Sequence, residues 1–213
     1  MKTRISPLAC VVLLSFAAVV AQTASAQTLY ENGPINGQTD AWTINFGFVM
    51  TDSITISTGQ STITGLSFGA WLFAGDTLQS AEVSFTSEPY GGTTYFDQVV
   101  NFTASGCFVN NYGYDVCQET GSFNGPTLDN GTYWLNLQNA VSTQGDPVYW
   151  DENSGIGCHS PGCPSEAGGG TGSIPSEAFT ILGNGSSVPE PGSLVLFASG
   201  VVGITALLRR KQL

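Results

Sequence analysis

Few side chains in this sequence are equipped for chemistry: five cysteines, one histidine, four tryptophans and sixteen carboxylates. Cys107 and Cys117 bracket "FVNNYGYDV" symmetrically about Tyr112, as opposite positions of a β-hairpin do. Cys158 and Cys163 enclose "HSPG", in which Pro161-Gly162 supplies a turn that brings them together. Four cysteines in an exported chain pair as two disulfides, Cys107–Cys117 and Cys158–Cys163. A zinc site built from the same thiols and His159 would need thiolates kept reduced, which an oxidising compartment opposes.

His159 is the only histidine. A Ser-His-Asp arrangement using it lacks the G-x-S-x-G elbow that would place a nucleophile. Fifteen of the sixteen acids precede Glu190, so hydrolysis by paired carboxylates is formally open. With no Lys, Arg or second His near them, little would stabilise developing negative charge. The expectation is a protein that is not an enzyme. Two acidic clusters offer oxygens of the kind calcium takes: Asp146, Asp151 and Glu152 around "GDPVYWDEN", and Asp129 with Asn130 in "LDNGT". Neither has EF-hand spacing, and solvated acidic loops account for the same residues; no other cofactor is indicated. Among the tryptophans, Trp42 follows the inward parity of its strand. Trp71 and Trp134 lie opposite in parity to their apolar neighbours, Trp134 together with Asn136. Exposed aromatics beside amides suit stacking on sugar rings; a covering loop or second layer is the competing reading.

The elements that must position these residues are strands. Trp42, Ile44, Phe46 and Phe48 alternate with Thr43, Asn45 and Gly47. Leu66, Phe68, Ala70 and Leu72 repeat at period two, as do Ala81, Val83 and Phe85, while Phe96, Val100 and Phe102 share one parity. Tyr133, Leu135 and Leu137 continue the pattern, and "FTIL" at Phe179 closes it. Turn signals such as "EPYGG", "NNYGY", "LDNGT" and "QGDP" separate these runs, and no helical stripe interrupts them. The pattern predicts an all-β domain over residues 27–182, a β-sandwich of jelly-roll type, with a closed barrel as the alternative. "GGGTG" reads as an internal surface loop and residues 183–188 as a flexible linker.

Charge is unusually placed. The 5 basic residues are Lys2, Arg4, Arg209, Arg210 and Lys211, so residues 5–208 hold every acid and no Lys or Arg. That excludes nucleic acid as a partner, because phosphate binding needs basic side chains. Lys2 and Arg4 precede an apolar run and the small-residue site Ala24-Ser25-Ala26, the layout of a secretory signal peptide over residues 1–26. Cys10 leaves with it. At the other end, residues 192–208 are uncharged and mostly apolar, enough as a helix for about 25 Å of a bilayer core. Pro189 and Pro191 punctuate the run in front, and Arg209, Arg210 and Lys211 in residues 209–213 mark the cytoplasmic side. One transmembrane helix is expected there.

Pro189-Glu190-Pro191, a short apolar run and the terminal Arg209-Arg210-Lys211 cluster together resemble the PEP-CTERM sorting signal of Gram-negative bacteria that make extracellular polysaccharide. The resemblance covers residues 189–213 and implies recognition by an exosortase, a membrane enzyme that processes its substrate near the PEP motif. It implies an exported protein held briefly in the inner membrane with its domain in the periplasm, then delivered to the cell surface or matrix. The functional expectation is an adhesive or structural β-sandwich. A carbohydrate-binding module for secreted polysaccharide is the second reading, and an acidic glycoside hydrolase the third.

Overall fold

A computed structural model of the protein describes residues 26–170 and 172–185. The signal peptide expected over residues 1–26, apart from Ala26, together with residues 192–208, Arg209, Arg210, Lys211 and Pro189, Glu190 and Pro191, lies outside the described residues. Fourteen strands form two sheets, with no helix among the described residues. In chain order they are β1 (Gln27–Glu31), β2 (Asp40–Thr43), β3 (Val49–Ile56), β4 (Ser61–Leu72), β5 (Leu78–Glu88), β6 (Gly91–Asn101) and β7 (Thr103–Val109). Then come β8 (Asp115–Ser122), β9 (Thr127–Leu128), β10 (Gly131–Ser142), β11 (Tyr149–Glu152), β12 (Ala167–Gly169), β13 (Gly172–Ile174) and β14 (Phe179–Gly185).

The first sheet is organised around β4, which pairs β14 and β11 on one side and β8 and β9 on the other; β1, β2 and β7 extend it. The second runs β13-β12-β3-β10-β5-β6. This is the expected two-sheet sandwich. Period-two alternation delivers its core: Leu66, Phe68, Ala70 and Leu72 from the first sheet are buried with Ala81, Val83, Phe85, Leu135 and Leu137 from the second. Phe96, Val100 and Phe102 are buried on their shared face, and Phe179 and Ile181 of β14 complete the packing. Trp150 sits fully buried between the sheets, edge-on to Phe68 and Phe179. Removing this much apolar surface from water is the main force holding the sheets together.

Three boundaries differ from the sequence reading. The alternation assigned through Phe48 stops at Thr43, because residues 45–48 turn instead: Phe48 N–H donates to the Asn45 carbonyl at 3.0 Å, and Phe46 adopts φ +55°. Phe46 and Phe48 are therefore exposed rather than inward. The "GGGTG" segment is not a loop alone. It contributes to the β12–β13 hairpin, whose β12 pairs β3, and Gly168 and Gly169 are buried there. The last strand continues past Leu182: Gly183 pairs with Gln27 on one side and Ile63 on the other, and β14 runs to Gly185. A glycine-rich stretch looks like linker in sequence, yet here the Thr62 carbonyl and the Leu29 side chain lie too close to Gly183 for a Cβ.

Candidate functional site

The two outer faces of the sandwich decide where a ligand could be met. On β4, Gly65, Ser67, Gly69 and Trp71 alternate with the core residues and point away from the interior. They are nevertheless buried, and over Gly69 the cover is residues 32–39, between β1 and β2. Gly69 makes room for them: a Cβ there would meet Ile35 at 2.9 Å and Asp151 at 2.7 Å. Asp151, on the outward side of β11, fastens the crossing segment. Its carboxylate accepts from the backbone N–H groups of Asn36 (2.8 Å) and Gly37 (2.9 Å) and from the indole N–H of Trp71 (2.5 Å). Burial pushes the Asp151 carboxyl upward, opposed by these same hydrogen bonds.

Beside that clamp the β7–β8 hairpin folds its tip over Trp71. The hairpin is crosslinked by Cys107–Cys117, with a Cα separation of 4.1 Å. The register is Phe108↔Val116 near the tip and Ser105↔Gln118 further down, so one extra residue is accommodated beside the disulfide, where Gly106 has φ +61°. Asn110 organises the turn by accepting from the N–H groups of Tyr112 and Tyr114, both at 3.0 Å. Tyr112 then stacks on Trp71 with ring centroids 5.6 Å apart and hydroxyl hydrogen bonded to the Gln38 carbonyl at 3.3 Å.

Trp71, Tyr112, Tyr114 and Tyr149 thus line a cleft of about 360 Å³ together with Thr39, Asp40 and Ala41. Trp71 is 5% exposed and forms the floor; Tyr112, 63% exposed, is the ring offered to solvent. Tyr114 links the rings, at 5.8 Å from Trp71 and 5.7 Å, nearly perpendicular, from Tyr149. Burial, then the neighbouring Tyr114, raises the Tyr149 phenol. Of the two readings the sequence offers for Trp71, an exposed platform and a ring beneath a covering loop, the structure shows the second: a ring from the hairpin covers it. The sequence reading missed the three tyrosines, two of which lie in "NNYGY", a stretch read only as a turn.

Trp134 does not join Trp71. It points outward from β10 in the other sheet, half-buried, across from Ser53 and Thr86. Asn136, on the same face, is buried and donates to Ser84 (3.2 Å) and Thr86 (3.0 Å), while its carbonyl accepts from Tyr90 N–H (3.1 Å). The pair of tryptophans therefore occupies opposite outer faces and forms no common platform. The calcium reading also loses its geometry. Asp151 faces outward and Glu152 inward, where the Glu152 carboxylate accepts from the Trp42 indole (3.0 Å) and Ser154 (3.1 Å). Asp146 uses its backbone carbonyl to accept from Asn45 and Ser142. Asp129 is exposed, near the amide of Gln60, and Asn130 accepts from Gly59 N–H. Among the described residues, no three His, Cys, Asp or Glu side chains converge closely enough to hold a metal ion. Cys158–Cys163 forms, with Cα atoms 6.0 Å apart, and its loop packs on β1 through Glu31 N–H to Ser160. His159 in that loop is exposed. Trp42, expected in the core, packs against its margin and is only partly buried.

Acids also occur where the alternation calls for apolar residues. Asp52 shares the inward parity of Met50, Ile54 and Ile56 on β3, and its pKa is pushed up to about 8 by burial, against hydrogen bonds from Ser165 and from the Glu177 and Ser53 N–H groups. Glu177, fully buried, is raised well above the carboxylate range by burial and then by the charges of Asp52, Glu152, Asp151 and Asp40. Glu119 on β8 faces the core beside Phe68 and is raised to about 7 by burial. Both oxygens of Glu119 and Glu177 and Oδ1 of Asp52 find no hydrogen-bond partner. These acids are sealed away from solvent.

Beyond the described residues, 187–211 match the PEP-CTERM protein-sorting motif. The motif implies an exported protein processed by an exosortase at the membrane. No curated protein matches the chain.

Proposed function

We propose that this chain, carrying the PEP-CTERM protein-sorting motif, is a non-enzymatic surface or matrix protein whose sandwich attaches to carbohydrate through the aromatic cleft. Of the structural and carbohydrate-binding readings, the second is supported by one observation. Four aromatic rings, Trp71, Tyr112, Tyr114 and Tyr149, meet in one cleft with polar groups at Thr39 and Asp40 on its wall. Sugar rings present apolar C–H faces to aromatic planes and hydroxyls to polar groups, so they match such a lining. The disulfide holds the Tyr112 turn in place before ligand arrives, which lowers the entropy lost on binding. The cleft needs no metal for this.

The direct test is a glycan array probed with the full chain in mild detergent, followed by the Tyr112→Ala variant. Binding should fall about tenfold in that variant, the worth of one aromatic contact, and should survive chelation of divalent cations. An array with no hits, or hits untouched by Tyr112→Ala, removes the carbohydrate reading and leaves the structural module. For the sorting step, residues 192–208 should anchor the chain until cleavage near Pro189–Pro191 releases it. Recovery of peptides beyond Pro191 from surface-exposed protein, in a host with the matching exosortase, would instead leave a permanent anchor.

A further inference from the structure

We propose that the sugar taken by the aromatic cleft bears a free amino group, so that the ligand is a cationic amino-sugar polymer rather than a neutral or acidic one. The inference rests on the reading of the cleft as a glycan site and adds the charge of its ligand. Three observations carry it. The cleft is walled by ring faces, and the faces of Trp and Tyr are the negative ends of their quadrupoles, which attract a desolvated ammonium placed over them. The floor ring is enriched further, because the Trp71 indole N–H donates to an Asp151 oxygen, and an acceptor at that N–H pushes electron density into the ring. Asp40, exposed at the margin, is the acidic residue of the cleft lining.

The wider field agrees. Residues 5–208 hold all 16 acids and no Lys or Arg, so nothing in the domain offers an anionic sugar a counter-charge. A uronic acid polymer would meet repulsion from every side, whereas a protonated amine would be drawn towards the cleft. A quaternary ammonium headgroup shares the cation chemistry. The flat, stacked arrangement of Tyr112 over Trp71 favours the sugar, because it leaves an open rim of ring edges and hydroxyls rather than a closed box around a single methylated nitrogen.

The test compares four polymers on the full chain in mild detergent: a β-linked glucosamine polymer, its fully N-acetylated form, a neutral glucan and a polyuronate. Choline serves as a competitor. The expected result is at least tenfold preference for the free-amine polymer over its acetylated form, reduced at least fivefold by Asp40→Asn and by Tyr112→Ala. Asp129→Asn, which removes an exposed acid far from the cleft in the fold, should leave binding within twofold. Equal binding of acetylated and free-amine polymers, lost in Tyr112→Ala, overturns the amine requirement while the glycan reading stands. Free-amine binding that ignores Tyr112→Ala, or falls as much with Asp129→Asn, is attraction to the acidic surface at large and overturns the inference. Choline binding at the cleft with no polymer bound would overturn it in favour of a lipid headgroup, and no binding at all would overturn both readings.

Discussion

The outer faces of the two sheets start from the same strand alternation and end differently. On the first sheet, residues 32–39 and the disulfide-linked hairpin tip settle over β4, and Asp151 ties the cover to the Trp71 indole. On the second, Trp134 stays half-exposed and Asn136 bonds sideways to Ser84 and Thr86 on β5 and to the Tyr90 backbone. A covered face can be shaped into a cleft; an open one stays a surface. The difference is also electrostatic. The first sheet and its connections bury Asp151, Glu119 and Glu177, whereas in the second sheet Asp52 alone is sealed inward, and Glu82 lies nearer the surface, accepting from Gln138 and Asn139.

The largest effect should come from those buried acids. Their folded-state pKa values, about 8 for Asp52, about 7 for Glu119 and higher than normal for Glu177 and Asp151, exceed the unfolded values of about 4. Between about pH 4 and 8 the folded state therefore binds more protons than the unfolded one. The associated stability is full near pH 4 and is lost as pH rises through the folded values. Denaturant unfolding should show the protein more stable at pH 5 than at pH 8, on the order of 5 kcal/mol. Equal stability at the two pH values would mean that these carboxyls are solvated or paired.

The next four predictions set the faces against each other directly. Trp71→Ala should cost about 3–5 kcal/mol in denaturant unfolding, since it empties the floor beneath Tyr112 and orphans Asp151. Asp151→Ala should cost about 3 kcal/mol, because two backbone N–H groups and an indole N–H lose their acceptor. Losing Cys107–Cys117 by the double serine substitution should cost about 2–3 kcal/mol, as expected for a short loop, and glycan affinity should fall with it. Trp134→Ala should be the mildest, about 1–2 kcal/mol, given its half-exposed position. If Trp134→Ala cost as much as Trp71→Ala, the two faces would not differ in the way described.

Much of this could be read along the chain. Inward parity at Leu66 to Leu72, Ala81 to Phe85 and Leu135 to Leu137 is local, and it identified strands and core residues directly. The cysteine spacing located both crosslinks, because each closes a short loop whose turn is written between the two thiols. Where local signals misled, a neighbour distant in sequence had intervened. Gly183 belongs to a strand because β1 and β4 flank it, and Gly168 is buried because β3 receives β12. Asp52 went unread, although an acid at an inward position of "VMTDSITI" is a local signal that parity could have found.

The sequence by itself determined the all-β class, the disulfide pairs, the lack of basic residues in the domain and the PEP-CTERM sorting tail, since each depends on periodicity, spacing or composition within a short stretch. Only the tertiary structure decided that Trp71 is a floor and Trp134 a surface residue, and that Tyr112, Tyr114 and Tyr149 share a cleft. Strand parity fixes which face a side chain leaves from. What covers that face depends on where residues 32–39 and the hairpin tip come to rest, through contacts such as Asp151 to Gly37, more than one hundred residues apart in the chain.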